Sequence, residues 1–292
     1  MTETSTNTTM VRLGAIAFIN TLPVYFSPDT TATDNISLHY DHPAALNKLM
    51  ATGALDISPV SSAHYLKHQN NLILLDDLSV SSAGAVESVL FISKKPLHQS
   101  NDFQRIAVPD DSATSIQLLK WILENETGKN LSDRFSIYPA SEARTVLKDQ
   151  GCALVIGDNA LLLHEQGTPE GYYCYDLSSL WKERTGLPFV FAVWVANRAW
   201  GEQHLTELAH INATLIHNRD RFFNTPELMQ HGIHHAANRC GIAKETIRRY
   251  YTQCLQYTLD PQHREALSLF GEIIANTTSA QDALPRDPQL AH

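Results

Sequence analysis

Short apolar runs alternate along this chain with stretches whose apolar residues fall at helical spacing, so strands and helices are expected in turn. Val11 to Ala17 reads as a buried strand running into Asn20-Thr21-Leu22-Pro23, where Asn or Thr can cap free backbone N–H groups and proline fits an early helical position. Ile36 to Tyr40 is the next expected strand, Pro43 to Met50 a helix stopped at Gly53, and Leu55 to Val60 a strand, after which Ser61-Ser62 opens another helix. Leu72 to Val80 and Val86 to Ile92 follow as strands, separated by the turn-prone Ser81-Ser82-Ala83-Gly84.

The polar stretch from Lys94-Lys95-Pro96 to Phe103 suits a crossing between lobes. A second series then begins: strand Arg105 to Val108, helix Ser115 to Glu124, strand Phe135 to Tyr138, helix Ser141 to Lys148, strand Ala153 to Ile156, and a helix from Asp158. A strand at Tyr172 to Tyr175 and a short helix around Leu180-Trp181 precede the apolar run Phe189 to Ala196, which carries the chain back. From Trp200 onward Leu205, Leu208, Ile211, Leu215 and Ile216 mark a helix, and helices are expected from Pro226 to Ala275. Parallel neighbours need crossover connections and helices supply them, so the fold class is α/β with mostly parallel sheets and a helical C-terminal region. One lobe is expected at 11–94 plus 196–276 and the other at 95–195, with a disordered tail at 1–10 and a second tail at 277–292.

Composition narrows the function. With 292 residues and 43% hydrophobic content, the chain can bury a large core. A formal net charge of −9 and the lack of any Lys/Arg-rich run exclude binding nucleic acid by neutralising its phosphates. No apolar run reaches membrane-spanning length, and the Thr/Ser/Asn-rich start lacks the basic and apolar parts of an export signal, so a cytoplasmic chain is expected. Cys152, Cys174, Cys240 and Cys254 are widely spaced, which suits reduced packing thiols. Small molecules are the expected partners.

Asn20, Ser61, Ser62, Ser112, Thr114, Ser115 and Asp158 each lie where an expected strand ends and a helix begins. In α/β sheets that edge faces the binding crevice. Helix N-termini offer unpaired N–H groups and partial positive charge, so an organic anion can be held there with few basic side chains. Capping alone would also explain any one of these residues. Ser88 is different, because it falls within the expected strand Val86 to Ile92, where no cap is needed. His231, His234 and His235 lack a further ligand at helical spacing and read as a helix surface, not as a metal site. Gly151 to Gly157 matches no phosphate-loop pattern, no GxSxG elbow marks a hydrolase, and Trp181 and Trp194 read as core.

Six strings carry a more specific signal: Gly14-Ala-Ile-Ala-Phe-Ile-Asn-Thr-Leu-Pro23, Leu55-Asp-Ile-Ser-Pro-Val-Ser-Ser62, Ser88-Val-Leu-Phe91, Ser112-Ala-Thr-Ser115, Ile156-Gly-Asp158 and Thr185-Gly-Leu-Pro188. Together, and in this order across residues 11 to 200, the chain resembles the chorismate dehydratases of the futalosine route to menaquinone. The resemblance implies a periplasmic-binding-protein type II fold, conversion of chorismate to 3-[(1-carboxyvinyl)oxy]benzoate, and no metal or organic cofactor. It places the catalytic pair at Asn20 and Ser88, with Ser61, Thr114, Ser115 and Asp158 among the ligand-binding residues of the cleft.

The implied chemistry is removal of the C3 proton, which is vinylogously acidified by the ring carboxylate, and expulsion of the C4 hydroxyl to leave an aromatic ring. The protein must supply orientation, a base and stabilisation of the developing charge. Asp158 is one candidate base and the substrate's own enolpyruvyl carboxylate is the other, the second being preferred. Two other functions fit the same architecture: a non-enzymatic solute-binding protein for a small organic anion, and the related enzyme acting on cyclic dehypoxanthinyl futalosine.

Overall fold

The computed structural model describes residues 10–26 and 35–282, without side chains from 277 onward. Apart from Met10, the expected N-terminal tail lies outside the described residues. The chain opens with strand β1 (Val11–Ile16), a 3₁₀ turn (Ile19–Thr21) and the short helix α1 (Leu22–Tyr25). It continues through β2 (Ile36–Asp41), α2 (Pro43–Ala51), β3 (Ile57–Ser61), α3 (Ser62–His68) and β4 (Leu72–Ser82). Proline at the start of both α1 and α2 sets the helical φ where no N–H bond is lost. Thr21 does not cap α1; its hydroxyl donates to the Ile16 carbonyl at 2.9 Å and closes the turn after β1.

The second series comprises β5 (Val89–Ser93), β6 (Ile106–Pro109), α4 (Ala113–Thr127), β7 (Phe135–Tyr138), α5 (Ala143–Gln150), β8 (Cys152–Ile156), α6 (Gly157–Gln166), β9 (Tyr173–Asp176) and α7 (Leu177–Thr185). Strand β10 (Phe189–Asn197) returns the chain to the first sheet. The C-terminal region holds α8 (Arg198–Gly201), α9 (Leu205–Asn224), α10 (Pro226–Cys240), α11 (Lys244–Arg249), a π-helical turn (Tyr250–Cys254) and α12 (Pro261–Asp282). Because α12 continues to Asp282, the helical region passes the expected start of the tail at 277.

Two five-stranded sheets result, in the orders β2-β1-β3-β10-β4 and β7-β6-β8-β5-β9. They are mixed, not mostly parallel. In the first, β1 runs parallel to β2 and β3 while β10 is antiparallel to β3 and β4; in the second, β6 runs parallel to β7 and β8 while β5 is antiparallel to β8 and β9. The antiparallel strands are those next to the two passages between lobes, where direct entry from the other sheet replaces a helical crossover.

That topology moves the lobe boundaries. Strand β5 belongs to the second sheet, so the first crossing is the segment between Ser82 and Val89, earlier than the expected 94/95 junction. Lys94 to Phe103 is not a crossing; it holds a 3₁₀ segment (Leu97–Asp102) packed on α4 within the second lobe. The return falls between Thr185 and Phe189, ahead of the expected 195/196 junction. Ser88 therefore lies in the crossing, just before β5, and not inside a strand.

One apolar core runs through both lobes, taking in Leu13, Ile57 and Trp194 from the first and Leu118 and Leu154 from the second. At the return, the Trp181 ring packs on Trp121 and Phe189, with centroids at 5.1 Å in both cases, and Phe189 packs on Phe270 of α12 at 5.0 Å. Trp181 and Trp194 are fully buried, as their apolar surroundings in the sequence suggest.

Candidate functional site

Where the strand ends of the two sheets meet, a cleft of about 600 Å³, counted with its open mouth, lies between the lobes. That size suits a small molecule. Asn20, Ser61 and Pro43 line it from the first lobe, and Ser88, Ser112, Thr114, Ser115 and Gly157 from the second. The rest of the lining includes Phe18, Phe191, Asp111, Tyr250 and Leu255. No Lys, Arg or His is among the described lining residues, so the groups of the lining that can stabilise an anion are backbone and side-chain N–H and O–H dipoles.

Helix α4 aims its N-terminus at this space. No side chain caps it, so the first-turn N–H groups of Ala113, Thr114 and Ser115 have no intrahelical partner. Ser61 caps α3: its Oγ accepts from the His64 N–H at 3.3 Å and from Asn47 Nδ2 at 3.2 Å, which leaves its own proton free to donate. Thr114 Oγ1 accepts from the Ala63 N–H at 3.0 Å, a bond from one lobe to the other. Capping and ligand binding are therefore compatible in these residues, because a hydroxyl that accepts from a helix still has a proton to offer.

Ser88 is delivered by an unusual backbone. Glu87 adopts φ +60, a left-handed conformation that a non-glycine residue rarely takes. Asp176 holds it there, its carboxylate accepting from the N–H groups of Val86 at 2.9 Å and Glu87 at 2.7 Å. The Glu87 side chain turns away from the cleft to Arg249 at 2.7 Å and His164 at 3.4 Å. This bend is what separates it from Ser88.

Ser88 is nearly buried, and its Oγ accepts a 2.8 Å hydrogen bond from the Tyr250 hydroxyl. Burial raises the Tyr250 phenol far above its ordinary range, so it stays protonated and remains a donor. The Ser88 proton is thereby directed elsewhere, toward the cleft. Across the cleft Asn20 Oδ1 is buried with no protein partner, and so is Asp111 Oδ1. Burial raises the Asp111 carboxyl above its usual range, with neighbouring Asp110 adding to the effect and His42 opposing it.

Two of the expected site residues lie elsewhere. Ser62 is fully buried and its hydroxyl donates to the Val190 carbonyl of β10 at 2.7 Å, so it joins strand to helix without reaching the cleft. Asp158 does not line the cleft either. Its Oδ1 accepts from the Ile19 N–H at 3.2 Å, and its Oδ2 from Arg239 and the Cys240 thiol, each at 3.2 Å. Burial, then Asp158, pushes that thiol up to about 11. Asp158 thus ties α6 to the turn that carries Asn20 and to α10. His231, His234 and His235 are exposed on α10.

Tyr250, Asp111, Phe18 and Phe191 were not singled out from the sequence. Asp111 falls in the stretch between the expected strand Arg105 to Val108 and the expected helix from Ser115, beside Ser112. Nothing around Tyr250 distinguished it from an ordinary helical aromatic, because the π-helical turn that aims it at Ser88 leaves no mark in apolar spacing.

The sequence model of a family described as menaquinone biosynthesis matches residues 11–276, so the likeness continues through the C-terminal region that supplies Tyr250. The chorismate dehydratase of Thermus thermophilus is 32% identical over 249 residues, covering 80% of this chain and 84% of that protein. Among solved structures, the alkanesulfonate-binding protein SsuA of Xanthomonas axonopodis pv. citri, bound to MOPS, superposes with a TM-score of 0.68 at 13% identity, covering 95% of this chain and 94% of that one. The periplasmic aliphatic sulphonate binding protein SsuA of Escherichia coli gives 0.66 at 12% identity, covering 97% and 94%. These likenesses show a periplasmic-binding-protein fold.

Proposed function

The chain belongs to the menaquinone biosynthesis family, and on that footing we propose that it dehydrates chorismate to 3-[(1-carboxyvinyl)oxy]benzoate in the cleft between its lobes, as a hydro-lyase. The observation that carries this reading beyond the family is the pairing of Ser88 with Tyr250 opposite the unpartnered amide oxygen of Asn20. Both face a cleft whose charge stabilisation comes from N–H and O–H dipoles.

Chorismate carries two carboxylates and one hydroxyl. The uncapped start of α4, with Thr114 and Ser115, suits one carboxylate, and removal of the C3 proton puts charge onto the ring carboxylate, where fixed dipoles act without having to reorganise. Ser88, its oxygen occupied by Tyr250, donates to the substrate. Asn20 Oδ1 needs a donor, and the C4 hydroxyl is one.

The base must lie within reach of C3. Asp158 is a poor candidate, since its oxygens are engaged by Ile19, Arg239 and Cys240 outside the cleft lining. This supports the substrate's own enolpyruvyl carboxylate as the base, held in place by the cleft. A chain of this composition, working on a soluble metabolite, is proposed to act in the cytoplasm; among the described residues no helix is long and apolar enough to cross a membrane.

The fold likeness to sulfonate-binding proteins favours a second reading, a solute binder without catalysis. Turnover separates the two. Ser88→Ala should lower kcat by about 10²-fold or more while KM moves only a few fold, the pattern of an interaction made in the transition state. A pure binder would show saturable uptake of chorismate or another anion and no aromatic product from either protein.

A further inference from the structure

Expelling hydroxide from C4 requires a proton, and neither the cleft hydroxyls nor Tyr250 provides one. The hydroxyls of Ser61, Ser88, Thr114 and Ser115 are too weakly acidic to surrender a proton at neutral pH, and the Tyr250 proton is already given to Ser88. Asp111 is the one carboxyl among the described residues that line the cleft. It is only 8% exposed, and its Oδ1 has no partner in the protein. From its place two residues before α4, it stands beside the helix start that suits a substrate carboxylate.

Resting on the dehydratase reading, we infer that Asp111 is the acid that protonates the departing C4 hydroxyl of chorismate. An ionised Asp111 would repel a dianionic substrate, whereas a protonated one donates a hydrogen bond to it. The charged and titratable groups that act on it are Asp110 beside it, His42 from the first lobe and Tyr138 of β7. Burial and Asp110 favour its neutral form, and a bound dianion favours it further.

The step balances. The base takes the C3 proton, and the C–H electron pair spreads through the ring into the carboxylate. That pair returns to form the C3–C4 double bond as the C4–O bond breaks. The Asp111 O–H bond then breaks and water leaves. The proton taken from C3 restores Asp111, directly or through solvent, so one water per turnover is the only other product.

The test is turnover of chorismate in deuterium oxide by the wild type, Asp111→Asn and Asp111→Glu, following dehydration together with deuterium at C3 of recovered chorismate. Asn is nearly isosteric but has no proton to give. Asp111→Asn should lower kcat by on the order of 10²-fold or more, with KM within a few fold, and Asp111→Glu should recover part of the loss. Trapped between deprotonation and departure, the Asn variant should return chorismate labelled at C3 faster than it forms product. Exchange and dehydration that fall together would overturn the inference, as would a variant of near wild-type kcat. An independent measurement on the wild type is the pH dependence of kcat, expected to fall on the alkaline side as Asp111 ionises; a flat profile from about pH 5 to about pH 9 would overturn the inference even if the variants failed to fold. No product from the wild type would overturn the dehydratase reading and this inference with it.

Discussion

The Ser88–Tyr250 bond is where a single contact matters most. Removing the tyrosine hydroxyl by Tyr250→Phe should cost about tenfold in kcat, the worth of one buried hydrogen bond, and should add little once Ser88 is already Ala. Steady-state kinetics on the two single variants and the double variant measures that coupling, and simple additivity would mean that the two side chains act separately. A second residue-scale expectation concerns His64, whose imidazole is lowered to about 4 chiefly by burial, with His68 and Lys67 adding to it. The unfolded chain then binds more protons than the folded one as pH falls from about 6.5 to about 4, so the fold loses stability across that window. Urea melts at neutral and mildly acidic pH, with His64→Asn shallower in its pH dependence than the wild type, check it. Among residues, the hydroxyl-bearing strand ends were legible because capping chemistry singles them out. Asp158 was legible as a helix-start residue but not as a tie, because its partners Ile19, Arg239 and Cys240 lie far off in sequence.

At the level of elements, the junctions leaving β1, β3, β6 and β8, together with the first crossing, decide the site. Gly157 begins α6 with φ +62, and a Cβ there would stand 3.2 Å from the Phe18 ring. Gly157→Ala should therefore destabilise the protein by about 1–2 kcal/mol, and it should weaken substrate use by shifting Phe18 and the neighbouring Asn20 turn. Chemical denaturation and kcat/KM read the two effects. Asp158→Asn should lower stability by about 1 kcal/mol, since its ion pair is partly exposed, and slow turnover less than tenfold. Near-total loss of turnover with binding intact would restore Asp158 as the base. Element type was largely readable from periodicity, as β1, α2, β7 and β10 illustrate. What periodicity missed was the bend at Glu87, where Asp176, 89 positions later in the chain, holds a left-handed residue. An apolar run from Val86 to Ile92 looks like one strand, yet its first residues leave the sheet to cross between lobes.

For the whole molecule, the two-lobed plan followed from two series of alternating elements, but the boundaries did not. Sheet membership of β5 and β10 depends on pairing with β8 and β3, and strand pairing over long separations has no local signature. The shared core has a consequence for unfolding. Because Trp121, Trp181, Phe189 and Phe270 form one cluster across the return passage, the lobes should unfold together in a single transition. Near- and far-ultraviolet circular dichroism should trace coincident curves, and separated midpoints would mean that each lobe stands alone. The uncapped start of α4 and the Ser88 hydroxyl bonded to Tyr250 present donors held by the fold itself, which is what dipole-based stabilisation of charge requires. The central claim is that this cleft turns chorismate into an aromatic ring. Incubating the purified protein with chorismate and following the proton NMR spectrum tests it most directly. The account predicts loss of the cyclohexadiene signals with matching growth of 3-[(1-carboxyvinyl)oxy]benzoate, whereas unchanged chorismate beside tight binding of some other organic anion would contradict it.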